Sequence, residues 1–204
     1  MRHAQSDHNI GSWISGDAAT DLKSRLTETG KEQARRLGQE AAALGITRIY
    51  RSPFQRVKAT CDIVTAHCPV PVSVDDRLRQ LDCGLFNGKT WTEREAFFAD
   101  HYEKLHRPSP GGESLMDVQR RMVEAIGDID RWNEGETILI ISHGNPLRML
   151  QVAALCLPAE AALTDMRALQ WKSDVSPDPS IGPLLIHPVF NSARSYSDAV
   201  RTSS

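Results

Sequence analysis

Three short runs in the hydrophobic pattern of the chain predict β-strands. Residues 46–50 and 137–142 are rich in aliphatic side chains with few polar interruptions, a pattern typical of short buried strands. Residues 70–74 are also strand-like, but Pro71 within them has no N–H to donate to a neighbouring strand. The pattern therefore predicts two buried strands and one strand at the edge of a sheet.

Amphipathic segments with capping residues predict helices between these strands. Residues 26–45 begin with Thr27, a good N-cap, and end at Gly45, a residue favoured just beyond a helix. Ser114 is expected to cap another helix, because the apolar residues after it recur at helical spacing. Residues 91–102 are also predicted to be helical.

A polar residue followed by proline predicts two more helix starts. Ser52-Pro53 is expected to cap and open a helix over residues 53–67, and Asn145-Pro146 is expected to open another. Residues 108–112 and 172–180 are expected to be loops, residues 183–190 a last strand, and the tail from residue 195 frayed. The alternation of strand and helix predicts an α/β fold with a mostly parallel central sheet covered by helices, in one domain over residues 1–204.

Composition and charge narrow the functional class. The chain has 204 residues, 40% of them hydrophobic and 25% charged, as in an ordinary globular protein. A formal net charge of −2 provides no basic field for nucleic acid, and no apolar stretch approaches the length of a membrane span. The four cysteines form no CxxC pair, so we expect reduced thiols, a cytoplasmic location, and no metal or other cofactor.

Three segments with chemically useful side chains follow predicted strands or open the chain. They are Arg2-His3, the stretch from Arg51 to Arg56, and His143-Gly144. Ligands of open α/β sheets bind beyond the carboxyl ends of the strands, so these segments are expected to converge. A guanidinium group suits a phosphoryl group, and glycine allows the backbone to approach a ligand closely. Alone, each histidine could be structural and Arg56 could be a solvated surface residue.

Five motifs resemble those of the histidine phosphatase superfamily, in the branch of phosphoglycerate mutase and its phosphatase relatives. They occur in the order of that family and span residues 2 to 148. The resemblance implies the three-layer phosphoglycerate mutase-like fold. The matching segments are Arg2-His3-Ala4-Gln5-Ser6-Asp7-His8-Asn9, Leu26-Thr27-Glu28-Thr29-Gly30-Lys31-Glu32-Gln33-Ala34, Ser52-Pro53-Phe54-Gln55-Arg56-Val57-Lys58-Ala59-Thr60, Gly111-Gly112-Glu113-Ser114 and Ser142-His143-Gly144-Asn145-Pro146-Leu147-Arg148.

The resemblance also implies roles for individual residues. His3 would attack phosphorus, since a neutral imidazole is a good nucleophile near pH 7. Arg2, Arg56 and His143 would hold the phosphoryl oxygens, and Asn9 would add a further donor. Water would then hydrolyse the phosphohistidine without a metal.

The first departure from the family concerns the general acid. Gln80 stands where the family usually has a glutamate, and an amide cannot donate a proton in the same way. Losing a general acid costs about 10²–10⁴ in rate. Asp82, two residues further on, could face the same side of an extended segment and compensate. It could equally be a loop carboxylate, with Gln80 binding substrate; Glu113 is a weaker candidate acid.

The second departure is at the start of the chain. The family has a strand before its Arg-His pair, whereas here Met1 directly precedes Arg2, so the first strand is apparently truncated. Without that strand we expect His3 to be poorly held, and we expect the natural start to lie upstream. Smaller departures are Ala4 for glycine, Asn87 for glutamate, and Arg51, which could extend the phosphate pocket or be a surface charge.

The leading hypothesis is a phosphomonoesterase acting on a small phosphorylated metabolite. A phosphoglycerate mutase is a second reading, although residues 86–110 are short for that branch. A phosphate-binding module without turnover is a third reading, favoured by Gln80 and the short N-terminus and opposed by the presence of Arg2, His3, Arg56 and His143. Specificity would depend on residues 11–24 and 91–110, whose aromatic side chains could line a pocket or pack in the core. No membrane or nucleic-acid partner is expected, and oligomeric state is left open.

Overall fold

A short parallel sheet forms the centre of the molecule. A computed structural model describes residues 1–163. Within them, three strands, β1 (Arg48–Arg51), β2 (Val72–Val74) and β3 (Ile138–Ile141), pair in the order β2-β1-β3, all parallel. β2 lies at an edge, as Pro71 predicted, and the α/β fold class with its parallel sheet is confirmed.

The start of the chain continues this sheet at the other side of β3. Ser142 N donates to Met1 O and His3 N donates to Ser142 O, each over 2.9 Å, which makes a parallel bridge between Arg2 and Ser142. His3 is consequently 3% exposed. The expectation of a poorly held His3 is wrong, because these backbone bonds fix it beside the end of β3.

Side chains of the sheet contribute to two apolar cores, one on each face. Ile49 of β1 packs with Leu139 and Ile141 of β3 in one core, whereas Tyr50 belongs to the core on the opposite face. Because successive strand residues point to opposite faces, one buried four-residue strand contributes side chains to both cores. Helices therefore cover both faces of the sheet, as the sequence predicted.

Four longer helices make up these covering layers. Helices α3 (Glu28–Ala43) and α4 (Gln55–Thr65) pack together on one face, and α6 (Leu115–Trp132) and α7 (Gly144–Ala154) pack together on the other. Shorter helices are α1 (Asp7–Ile10), α2 (Ala18–Asp21) and α5 (Trp91–Glu95). Single 3₁₀ turns are formed by Asp76–Leu78, Gly84–Phe86, Glu103–Leu105 and Ala159–Leu163.

The predicted caps of α3 and α6 are confirmed. Thr27 accepts a hydrogen bond from Gly30 N, and Ser114 forms a reciprocal capping box with Asp117. Residues 91–102 were predicted as one helix, but α5 ends at Glu95. Asp100 Oδ1 accepts from the backbone N–H groups of Tyr102 and Glu103, which favours separate turns after α5.

Both predicted proline starts are shifted. α4 begins at Gln55 after the N-cap Phe54, because the Ser52 hydroxyl is committed to His143 and the Asp21 carboxylate accepts from Gln55 N. α7 begins at Gly144, with His143 as N-cap; Pro146 is tolerated inside its first turn, where N–H groups lack helical partners. The loop, strand and tail predicted for residues 172–180, 183–190 and from 195 lie outside the described residues.

Candidate active site

Two histidines and an arginine meet at the carboxyl end of the sheet. His3 ends the stretch that pairs with β3, His143 follows β3, and Arg56 lies in the first turn of α4, just after β1. The ring centroids of His3 and His143 are 5.2 Å apart. His143 and Arg56 are 0% and 1% exposed. The fold thus joins three side chains that are far apart in the sequence.

Arg56 lies at the centre of this group. Its Nε donates to His3 Nε2 over 3.2 Å, and its Nη2 donates to His143 Nδ1 over 2.9 Å. Its Nη1 donates to Asp21 Oδ1 over 2.6 Å and to Ser15 Oγ over 2.9 Å. A guanidinium group only donates, so both histidine nitrogens must be accepting atoms.

These bonds assign the tautomers of both rings. In His3, Nδ1 carries the proton and donates to Ala4 O over 2.8 Å, so Nε2 holds the lone pair. In His143, Nε2 carries the proton and donates to Ser52 Oγ over 2.8 Å. Nε2 of His3 is therefore the nitrogen able to attack an electrophile, and it points toward Arg56.

The electrostatics of the site keep both rings neutral. Burial lowers the pKa of His3 well below its usual value, and the charges of Arg56 and Arg2 lower it further. Burial also lowers the pKa of His143, followed by the charge of Arg56. A neutral imidazole is the nucleophilic form, so His3 is in the form required for attack near pH 7.

Arg2 and Gly144 flank the same site. Arg2 has a lowered pKa because of burial and then the nearby charge of Arg148, and its own charge acts on both histidines. A Cβ atom placed on Gly144 would lie 3.9 Å from Arg2 Nε, so this guanidinium passes beside the start of α7. Arg51, in contrast, donates to Ser52 O and has no contact with the histidines among the described residues.

Asn9 belongs to a second layer that includes His8. The Asn9 Nδ2 group donates to His8 Nε2 over 3.0 Å, and Asn9 Oδ1 accepts from the backbone N–H of Ser6 over 3.0 Å. The ring of His8 lies 5.4 Å from that of His3, and burial lowers the pKa of His8 to about 3. Asn9 thus orients a third neutral imidazole against the ring of His3.

The candidate acids lie in a neighbouring loop cluster. Gln80 is 8% exposed and its Oε1 accepts from Leu81 N over 2.9 Å. Asp82 Oδ1 accepts from Gly84 N and from Asn87 Nδ2, over 2.9 and 2.8 Å. Within residues 1–163, Asp82 makes no hydrogen bond to the histidines, and its Oδ2 makes none at all.

Glu113 has a structural position. It forms ion pairs with Arg79 at 2.6 Å and Arg121 at 2.9 Å, and it accepts from Asp82 N at 3.1 Å. Arg121 donates to both carboxylate oxygens of Glu113, so this side chain is held in place by its neighbours. Glu113 thus fixes the loop that carries Gln80 and Asp82, and it makes no hydrogen bond to either histidine among the described residues.

Sequence reasoning missed three contributors to the site. Asp21 and Ser15 bind Arg56, and His8 packs against His3. His8 could have been predicted as a site residue, because it lies within the first family motif. Asp21 and Ser15 lie in none of the matched motifs, so the sequence did not point to them. Among the described residues, no group of three or more histidine, cysteine or acidic side chains could hold a metal ion, and no helix is long and apolar enough to cross a bilayer.

Comparison with known proteins places this arrangement in context. The model of the histidine phosphatase superfamily (branch 1) matches residues 1–171. The probable phosphoglycerate mutase GpmB of Salmonella newport is 32% identical over 166 residues, which cover 79% of this chain and 75% of that protein. The structure is similar to Bacillus stearothermophilus YhfR, with a TM-score of 0.70, 32% identity, and 80% and 82% of the two chains covered. It is also similar to a mycobacterial glucosyl-3-phosphoglycerate phosphatase, with a TM-score of 0.68, 25% identity, and 79% and 80% covered.

Proposed function

Because the chain belongs to branch 1 of the histidine phosphatase superfamily and is a histidine phosphatase, we propose that it hydrolyses small phosphomonoesters through phosphohistidine at His3. One observation carries the proposal. The lone pair of a buried, neutral His3 Nε2 lies among Arg2, Arg56 and His143. A nucleophile inside a cationic group of donors is what transfer of an anionic phosphoryl group requires.

The reaction has two displacements at phosphorus. In the first, a bond forms between His3 Nε2 and phosphorus while the bond to the leaving oxygen breaks, and that oxygen gains a proton. In the second, water attacks phosphorus and gives a proton back to the group that protonated the leaving oxygen, the bond to Nε2 breaks, and inorganic phosphate leaves. His3 ends each cycle with its lone pair restored, so no external oxidant or reductant is needed.

The arginines would hold the phosphoryl oxygens during both steps. Arg56 presently donates to a nitrogen of each histidine, so a bound phosphate would accept these N–H groups in place of the two rings. Arg2, beside Gly144, adds a further positive charge that acts on both histidines. Donors that are already oriented need little reorganisation in the transition state, and removing one such donor typically costs about 10²–10³ in kcat.

Asp82 is the proposed source of the leaving-group proton. Gln80 lacks an acidic proton, and Glu113 is committed to Arg79 and Arg121. Asp82 has one carboxyl oxygen in the turn before Gly84, while its Oδ2 makes no hydrogen bond within the described residues. Gln80 is proposed to bind the leaving part of the substrate.

Trapping the intermediate tests the proposal. We expect the protein to release phosphate from p-nitrophenyl phosphate and to form an acid-labile, base-stable phosphoenzyme at His3. His3→Asn is expected to abolish both, whereas the control His67→Asn, at an exposed histidine near the end of α4, is expected to retain both. Phosphate release by His3→Asn at the normal rate would contradict the mechanism.

Phosphoglycerate mutase activity is the second candidate, favoured by the 32% identity to probable phosphoglycerate mutases. A mutase returns the phosphoryl group from histidine to the substrate, whereas a phosphatase gives it to water. Incubation with 3-phosphoglycerate separates the two, since isomerisation yields 2-phosphoglycerate and hydrolysis yields inorganic phosphate. A binding module without turnover would form neither product and no phosphohistidine.

A further inference from the structure

A cavity of about 290 Å³ lies next to the histidine site. Asn145 in the first turn of α7 lines it, only two residues beyond His143, and a helix rises about 1.5 Å per residue. Leu81, directly after Gln80, lines another part. The cavity therefore adjoins the position where the leaving part of a substrate would lie.

Arg94, which lines this cavity, is a buried arginine with one donor group that is unpaired among the described residues. It is 1% exposed, its Nε donates to Ser109 Oγ over 3.1 Å, and its guanidinium carbon lies 4.9 Å from the centre of the Phe98 ring. Its Nη2 is buried and has no hydrogen-bond partner within residues 1–163. Buried donors in folded proteins are nearly always paired, so this group is suited to an acceptor supplied from the cavity.

The charges around the cavity favour an anionic acceptor. Three cationic side chains line it, Arg94, Lys104 and Arg148, whereas Glu95 is its one carboxylate among the described residues. Lys104 Nζ contacts both oxygens of Glu95, at 2.7 and 2.8 Å. Glu95 also lies 3.8 Å from Arg94 Nη1, so among Arg94, Lys104 and Glu95 one carboxylate is shared by two cations and positive charge is in excess.

We propose that this cavity binds a second anionic group, a carboxylate or a phosphate, of the same phosphomonoester whose phosphoryl group reacts at His3. The inference rests on the proposed function and adds the substrate class, a small metabolite with two anionic ends. Arg94 is the specificity residue, with Arg148 near the boundary with Arg2, whose pKa it lowers. Neither acts on the reacting atoms.

Matched substrate pairs test the inference. Glycerol 3-phosphate and 3-phosphoglycerate differ in whether a carboxylate is present, and fructose 6-phosphate and fructose 1,6-bisphosphate differ in a second phosphate. Hydrogen bonds to charged groups are strong. In at least one pair we therefore expect kcat/KM to be at least about tenfold higher for the substrate that carries the second anionic group. The pair that responds identifies the carboxylate or the phosphate as the second group.

Variants connect that preference to the cavity. Arg94→Gln is expected to reduce the ratio of the two kcat/KM values to about threefold or less, since one charged donor is lost. Arg148 is exposed, so Arg148→Gln provides a second variant that does not disturb a buried position, with the same expected direction. Arg107→Gln is the control, because Arg107 is an exposed cation paired with Glu103 outside the cavity.

The outcomes distinguish this inference from the proposed function. Ratios near one in both pairs, from protein that hydrolyses p-nitrophenyl phosphate, would overturn the second anionic subsite and leave the phosphatase intact. If the protein hydrolyses none of these substrates, the proposed phosphatase function is wrong. Calorimetric binding of the same substrate pairs then tests whether the cavity binds a second anionic group. Tenfold tighter binding of the member with two anionic groups would support it, and equal affinities would overturn it. An unchanged ratio in both Arg94→Gln and Arg148→Gln would also overturn it.

Discussion

The ion pair between Asp21 and Arg56 gives the sharpest test of how the site is held together. Its two side chains are 4% and 0% exposed, with 2.6 Å between Asp21 Oδ1 and Arg56 Nη1. Asp21 also accepts from Gln55 N at the start of α4. One carboxylate therefore both orients the guanidinium and satisfies a helix terminus.

Asp21→Asn changes the charge while keeping the shape. Removing one partner of a buried pair leaves the other charge uncompensated and costs about 3–5 kcal/mol, and the amide oxygen can retain part of the hydrogen bonding. We expect the free energy of unfolding to fall by about 2–4 kcal/mol in urea titrations at pH 7. Misplacement of Arg56 should also lower kcat/KM for p-nitrophenyl phosphate by about tenfold or more.

Asp62→Asn is the matched control on the same helix. Asp62 pairs with Lys58 across 2.7 Å, but these side chains are 59% and 49% exposed. Exposed pairs of this spacing contribute about 0.3–0.5 kcal/mol, so the control should change little in stability or turnover. If Asp21→Asn behaved like the control in both assays, the buried pair would not position Arg56 and the reasoning would fail.

Three further predictions concern the acid, the buried histidines and the loop contacts. Asp82→Asn should slow hydrolysis of alkyl phosphates by about 10²-fold but affect p-nitrophenyl phosphate much less; equal small effects in steady-state assays would reject Asp82 as the acid. The three buried histidines of the site have lowered pKa values, so between pH 7 and 5 the unfolded chain takes up protons that the folded state excludes. The free energy of unfolding should therefore fall below pH 6.5, by up to about 1.4 kcal/mol per pH unit for each histidine, and a flat urea-midpoint profile would contradict their burial as neutral rings. Gly84→Ala should destabilise strongly, because φ is +53° and the new Cβ would lie 2.1 Å from Pro110 O. Gly127→Ala in α6, where a new Cβ would meet no atom within 4 Å apart from its own helix backbone and chain neighbours, should stabilise by about 0.5–1 kcal/mol in the same titration.

The motif spacing and strand pattern predicted the framework of the site. The runs at residues 46–50 and 137–142 became β1 and β3, and their shared carboxyl end brings Arg56 and His143 together. This step was accessible because parallel strands end at one edge of a sheet. Helix starts were harder to place. Ser52 has the composition of a cap, yet its hydroxyl accepts from a histidine 91 residues away, which local sequence cannot encode.

The residues that hold Arg56 and His3 in place could not be predicted from the sequence, for a similar reason. Asp21 reaches Arg56 only because residues 7–27 fold back over the end of the sheet, and no periodic pattern describes that path. The burial of His3 also depends on a long-range backbone bond to Ser142. Asp82 and Glu113 were both plausible acids in the sequence, but the guanidinium groups of Arg79 and Arg121 distinguish them in space.

The contacts of Arg56 have a consequence for the proposed catalytic cycle. Its N–H groups have partners on both rings, so binding of a phosphate would exchange hydrogen bonds instead of adding them. The net gain on binding is therefore smaller than the number of contacts suggests, and the same exchange in reverse assists departure of inorganic phosphate. Because the internal contacts of Arg56 can replace those to phosphate, we expect product inhibition by inorganic phosphate to be weak.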